Sequence, residues 1–214
     1  MNKSNFDKMM IDFVRECKKA LKTYDKHIYE KLTKSKCRDF YDEEWKGIGI
    51  WGISEPILRF IISTELCGNY RIVPEYQYDD GSTCRADLVL YMDDDKYKEE
   101  LPPDIVIEMK WGNVRKKDDP GTLSQWSINK LQEDLKKVRD HTDSEHNFIL
   151  QVLFAPREIK LNEKNLLKQI MNDLDGRTFR SFDISVVAVE QFNTHAIDKE
   201  KADYLCWLIC WRLW

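Results

Sequence analysis

The chain has 214 residues, 42% of them apolar and 12% aromatic, enough to fill the core of one ordinary domain. Charged residues make up 34% but nearly cancel to a net −4, which argues against an indiscriminate polycation and leaves room for a local basic groove. No apolar run approaches the roughly 18 residues of a membrane span, and Met1–Asp7 lacks the apolar core of a signal peptide, so a cytoplasmic, reducing location is expected.

In chain order, residues 4–36 read as a helix. Phe6, Met9, Met10, Phe13, Val14, Cys17, Leu21 and Tyr24 recur at three- and four-residue steps. Residues 1–38 carry eleven Lys/Arg against five Asp/Glu, a solvated basic face or a polyanion contact. Residues 39–53, with Trp45, Gly47, Gly49, Trp51 and Gly52, read as a loop. Ser54 is placed as an N-cap for a helix over Glu55–Cys67, with Pro56 in the first turn and Gly68-Asn69 as the stop. Three strands follow: Tyr70–Tyr78, Cys84–Tyr91 after the turn at Asp79-Asp80-Gly81-Ser82, and Ile105–Trp111. Asp93–Pro103 between the last two reads as an acidic, polar connection. Arg115–Gly121 reads as a polar loop, Leu123–His141 as an amphipathic helix, Phe148–Phe154 as a buried strand and Asn162–Leu174 as a helix. Ile184–Val189 reads as a strand, Asn193–Asp203 as a polar stretch, and the apolar Tyr204–Trp214 as a strand or helix that closes the core. A strand meander followed by crossovers predicts an α/β domain: a central mixed sheet flanked by helices. Residues 1–53 are expected as a helical N-terminal extension and loop, and 54–214 as the α/β core, in one compact domain.

Two of these strands carry charges where apolar residues belong. Arg85-Ala86-Asp87-Leu88-Val89-Leu90-Tyr91 holds Asp87, and Asp104-Ile105-Val106-Ile107-Glu108-Met109-Lys110-Trp111 holds Glu108 and Lys110. Side chains alternate along a strand, so Glu108 and Lys110 share a face and Met109 lies opposite. If the strands pair, Asp87 joins them. Burying such charges is costly unless they pair or coordinate. Two carboxylates beside an ammonium form a plausible divalent-metal site. The plainer reading is a salt bridge on an exposed face, which the apolar Ile105-Val106-Ile107 run and Trp111 disfavour.

The element order, with Asp87 on the second strand and Glu108-Met109-Lys110 on the third, resembles the PD-(D/E)XK phosphodiesterase superfamily, the restriction-endonuclease-like fold. The likeness covers residues 54–155, with 156–190 continuing the sheet. Ala86 stands where the family name has proline. The resemblance implies a Mg²⁺-dependent DNA endonuclease in which Mn²⁺ can substitute. Asp87, Glu108 and the Met109 carbonyl would hold the metal, which polarises the scissile phosphate and activates a water. Lys110 would orient or deprotonate that water or neutralise charge on the phosphorane. Glu55, on the preceding helix, would complete a second metal site or tune Lys110. The helix after the third strand often carries Lys or Gln toward the site, and Gln125, Lys130 and Gln132 are the candidates. Residues 110–139 hold eight Lys/Arg against four Asp/Glu. Arg115, Lys116 and Lys117 are therefore expected on the nucleic-acid backbone, with Gln125 and Lys130 beside them.

Other features point elsewhere. None of the six cysteines forms a C-x-x-C pair, so free thiols are expected. His27, His141, His146 and His195 lack metal-ligand spacing and read as surface residues, and Asp93-Asp94-Asp95 reads as a solvated turn. The tryptophans read mainly as core, with Trp111 and Trp126 nearest the acidic cluster. A nuclease-fold binding module with a degenerate site stays as the alternative. An RNA substrate and a homodimer stay open, and no membrane partner is expected.

Overall fold

The computed structural model describes residues 5–34, 50, 53–78, 83–98, 101–113, 132–138, 140, 144, 146–157, 162–175, 184–197 and 203–214. Helix α1 is Asn5–Lys34 and α2 is Glu55–Leu66. Strands β1 (Arg71–Gln77) and β2 (Arg85–Tyr91), the short helix α3 (Asp94–Lys98) and β3 (Ile105–Asn113) follow. Helix α4 covers residues 132–138. Then come β4 (His146–Pro156), α5 (Glu163–Asp175), β5 (Ile184–Ile197) and β6 (Asp203–Leu213).

The strands form one six-stranded mixed sheet in the order β1-β2-β3-β4-β6-β5. β1, β2 and β3 run as an antiparallel meander, β3 and β4 are parallel, and β6 lies antiparallel to both β4 and β5. The parallel β3–β4 step requires a crossover, and α4 lies within it. Helices cover both faces. One face of β2, β3, β4 and β6, including Leu88, Ile107, Leu150 and Leu208, packs on Met10, Phe13 and Leu21 of α1 and Leu58 and Ile62 of α2. The other face, with Ile149, Leu153, Trp207, Ile209 and Trp211, packs on Leu135 and Val138 of α4 and Leu166 and Ile170 of α5. Helix α1 therefore shares the main core with the sheet. Among the described residues no helix is long and apolar enough to cross a membrane.

Several expectations need correction. The segment after Asp93 contains α3, whose start is tied by Asp95 N–H donating to Asp93 Oδ1 at 2.8 Å. Ser54 sits at the N-cap of α2 with extended backbone but makes no side-chain capping bond; its carbonyl accepts from Leu58 N instead. β5 runs on to Ile197, into the stretch from Asn193 that reads in the sequence only as polar. It is an edge strand, so Asn193 and His195 need no apolar surroundings there. The C-terminal segment, expected as a strand or helix that closes the core, is a strand, inserted between β4 and β5. His146 and His195 are half-buried: His146 lies against the Phe6 ring at 3.5 Å, and His195 Nδ1 lies 2.8 Å from the buried Asp25. Among the described cysteines all are free, and burial pushes the Cys17, Cys206 and Cys210 thiols well up.

Candidate functional site

The β2–β3 ladder makes only three register pairs, Leu90↔Ile105, Val89↔Val106 and Leu88↔Ile107. The next positions in that register are Asp87 and Glu108, and there the ladder stops. β2 goes on pairing with β1 as far as Gln77↔Arg85, while β3 goes on pairing with β4 as far as Asn113↔Phe154. The two strands therefore separate as a fork, with the two carboxylates at its crotch. Asp87 Oδ2 accepts from Met109 N–H at 2.7 Å, replacing a strand hydrogen bond with a side-chain one. Asp87, Glu108 and Lys110 are only 9%, 1% and 7% exposed.

Both helical layers reach into this fork. From α2, Glu55 and Arg59 lie one turn apart and on one side of the helix. Glu55 Oε2 accepts Trp111 N–H at 3.0 Å and lies 3.3 Å from Lys110 Nζ. Arg59 places Nη1 on Asp87 Oδ1 and Nη2 on Glu75 Oε1 of β1. From α4, Asp134 Oδ2 lies 2.9 Å from Lys110 Nζ, and Lys137 Nζ donates to Glu108 Oε2 at 2.9 Å. Tyr78, just past β1, donates its hydroxyl to Glu108 Oε1 at 2.8 Å. Arg59, Tyr78, Asp134 and Lys137 were absent from the expected set. The chain offers a signal for Arg59, which lies four residues after Glu55 on the same side of α2, and none for Tyr78, Asp134 or Lys137.

The electrostatics follow from crowding acids in a poorly solvated place. Burial first, and then the charge of Asp87, push Glu108 up to about 8, against the pull of Lys137 and Tyr78. Burial also pushes Asp134 up to about 6, against the nearby Lys110. For Lys110, burial works against the charge, but Asp134 and then Glu55 outweigh it, and its pKa lies above the ordinary lysine value. Tyr78 is pushed far up by burial and by Glu108, so it stays a donor. Around the fork stand Glu55, Asp87, Glu108 and Asp134 against Arg59, Lys110 and Lys137, one more carboxylate than cations.

The structure thus brings together Asp87, Glu108, Met109, Lys110 and Glu55. Gln132 lies at the start of α4, and its Nε2 is buried without a hydrogen-bond partner. Arg115, Lys116, Lys117, Gln125 and Lys130 lie outside the described residues. Among the described residues, no group of three His, Cys, Asp or Glu side chains is arranged to hold a metal ion by itself. No protein-family model matches the chain, and no curated protein or solved structure is detectably similar to it.

Proposed function

We propose that this chain is a metal-dependent DNA endonuclease of the restriction-endonuclease-like class, which hydrolyses phosphodiester bonds at the β2–β3 fork. The observation that carries the reading is the open ladder. Asp87 and Glu108 occupy the first register position where β2 and β3 no longer pair, with Lys110 one side-chain step further along the same face. The order α2, three-strand meander, α4, β4 agrees with the core of that fold class.

The donor set suits Mg²⁺ or Mn²⁺. Both ions favour hard oxygen ligands, and Mg²⁺ commonly binds through one or two carboxylates and keeps several waters. Asp87, Glu108 and the Met109 carbonyl would hold the ion. The raised pKa of Glu108 comes first from burial and then from the charge of Asp87, and a dication at the two carboxylates would offset both. When bound, the metal supplies Lewis-acid activation of the phosphate and of the attacking water. The protein's own groups divide the remaining work. Lys110, held charged by Asp134 and Glu55, serves as an ammonium that neutralises negative charge developing on the phosphoryl oxygens, rather than as a base. Glu55 fixes the height of that ammonium and the Trp111 backbone together. Tyr78 and Lys137 orient the Glu108 carboxylate.

A second reading has an observation of its own. Every carboxylate of the fork already has a cationic partner, which is how a nuclease-fold binding module without metal would look. Titration calorimetry with Mg²⁺ and Mn²⁺ separates the two. The primary test is plasmid nicking with Mg²⁺, Mn²⁺ or EDTA, run beside Lys110→Ala. Metal-dependent nicking that is lost in the variant is the expected result. Nicking that persists undiminished in Lys110→Ala would remove the fork as its origin, and absent metal binding would favour the binding module.

A further inference from the structure

Glu75 has the only left-handed backbone among the described non-glycine residues, with φ 56. It lies within β1, between Pro74↔Leu88 and Tyr76↔Ala86, where the register sets it opposite Asp87, and that pair is missing from the ladder. A side chain with a Cβ is sterically disfavoured in this conformation, so contacts around it must hold it there. Two guanidiniums face it. Arg59 Nη2 contacts Glu75 Oε1, and Arg85 Nη1 lies 3.9 Å from Oε2. The Arg59 side chain is 14% exposed and that of Glu75 46%, so a buried cation reaches the surface through a solvent-facing acid.

A guanidinium presents a planar fork of donors that fits carboxylate and phosphate in the same way. Arg59 divides its fork. One nitrogen stays on the buried Asp87, which fixes the group beside the proposed metal ligands, and the other points to the rim. We propose that Arg59 is a phosphodiester-binding group of this site, and that in the free protein the Glu75 carboxylate occupies its phosphate seat. This inference rests on the nuclease reading. An incoming backbone phosphate exchanges with Glu75, which leaves on its half-exposed side and relaxes its backbone, while Asp87 keeps Arg59 in place. Arg85, more than half exposed at the same rim, provides a second cation for the phosphate or its neighbour.

The test uses Glu75→Gly and Glu75→Gln in the full chain. Glycine adopts the left-handed backbone without strain, so that variant folds at least as readily. Binding is read by fluorescence anisotropy of a labelled DNA duplex in Ca²⁺, and cleavage by plasmid nicking in Mg²⁺. Both variants are expected to bind DNA about tenfold more tightly, with a lower KM and a salt dependence steeper by about one phosphate contact. The gain is expected to vanish when Arg59→Gln is added. Wild-type nicking with no gain in either variant would overturn this inference alone. So would a gain that survives Arg59→Gln, which would reflect only a lost surface charge. Nicking abolished by Glu75→Gln would make Glu75 a metal ligand instead. A wild-type protein that cuts no DNA would overturn the nuclease reading, and this inference with it.

Discussion

The β4–β6 seam and the β2–β3 fork belong to one sheet and treat burial in opposite ways. The seam runs without interruption through ten register pairs, from Asn147↔Leu213 to Pro156↔Tyr204. Its inner positions are almost all apolar, and its buried Gln151 accepts from Trp211 Nε1 at 3.1 Å. The fork pairs at three positions and then opens onto Asp87, Glu108 and Lys110. A closed ladder satisfies its own backbone and asks only for apolar side chains. An opened one must satisfy strand edges and charges with side chains from other layers, and here α2 and α4 supply them. Asp25 is the useful control, because a buried acid alone does not mark a site. It is 0% exposed, yet it accepts backbone N–H groups from Ile50 at 2.8 Å and His195 at 2.7 Å. It joins α1, the Ile50 segment and β5. The acids of the fork take mainly cationic side chains, which can be exchanged for a metal or a substrate as backbone amides cannot.

The largest expected difference between the two regions is in activity. Asp87→Ala, Glu108→Ala and Lys110→Ala should each reduce nicking by about 10³-fold or more, with circular dichroism showing the fold retained. Glu108→Gln, which keeps the shape of the side chain, should do the same with less disturbance. Undiminished cleavage by all these variants would erase the distinction between fork and seam. The seam should behave in the opposite sense. Trp211→Ala removes a buried indole and the partner of Gln151, and should lower unfolding stability by about 3–5 kcal/mol. A denaturant melt measures that, while activity per folded molecule stays near wild type.

The contrast was only half legible in the chain. Asp87, Glu108 and Lys110 stand out because each interrupts a run of apolar residues on a strand, whereas Glu55 enters only through the resemblance, which implies a glutamate on the helix before the meander. The opening of the ladder did not show, because it depends on which strands pair and how far. Nor did the left-handed backbone of Glu75, since nothing about a glutamate signals it. Asp134 and Lys137 looked like ordinary polar residues beside the apolar stripe of α4, and only the docking of that helix turns them inward. The seam was harder still. The apolar character of Tyr204–Trp214 announced a core element, but its insertion between β4 and β5 is a long-range pairing with no local cue. The polar end of β5 hid a strand because it lies at the sheet edge.

A smaller effect tests Asp25. Asp25→Ala should leave the N–H groups of Ile50 and His195 without their acceptor, at about 1–3 kcal/mol each. Metal-dependent nicking should persist once the protein is folded. Loss of metal binding in this variant would mean that the two buried acids are not independent after all.

The finest test is the dependence of stability on pH. In the folded protein Glu108 lies at about 8 and Asp134 at about 6, against ordinary values of 4.5 and 3.8. Both are raised, so between the unfolded and folded values the folded state holds protons that the unfolded chain has released. Their contribution is therefore fully present below about pH 4 and is lost as pH rises toward 8. The slope from either group is at most about 1.4 kcal/mol per pH unit. Urea melts in EDTA at a series of pH values should show stability falling across this range, with the upper part of the fall absent in Glu108→Gln. Mg²⁺ favours the ionised carboxylates, so its stabilising effect should grow over the same interval. The seam holds no such acid, and a Trp211→Ala protein should lose the same free energy at every pH. A pH profile shared unchanged by wild type and Glu108→Gln would show that the fork does not hold its acids under the strain its geometry implies.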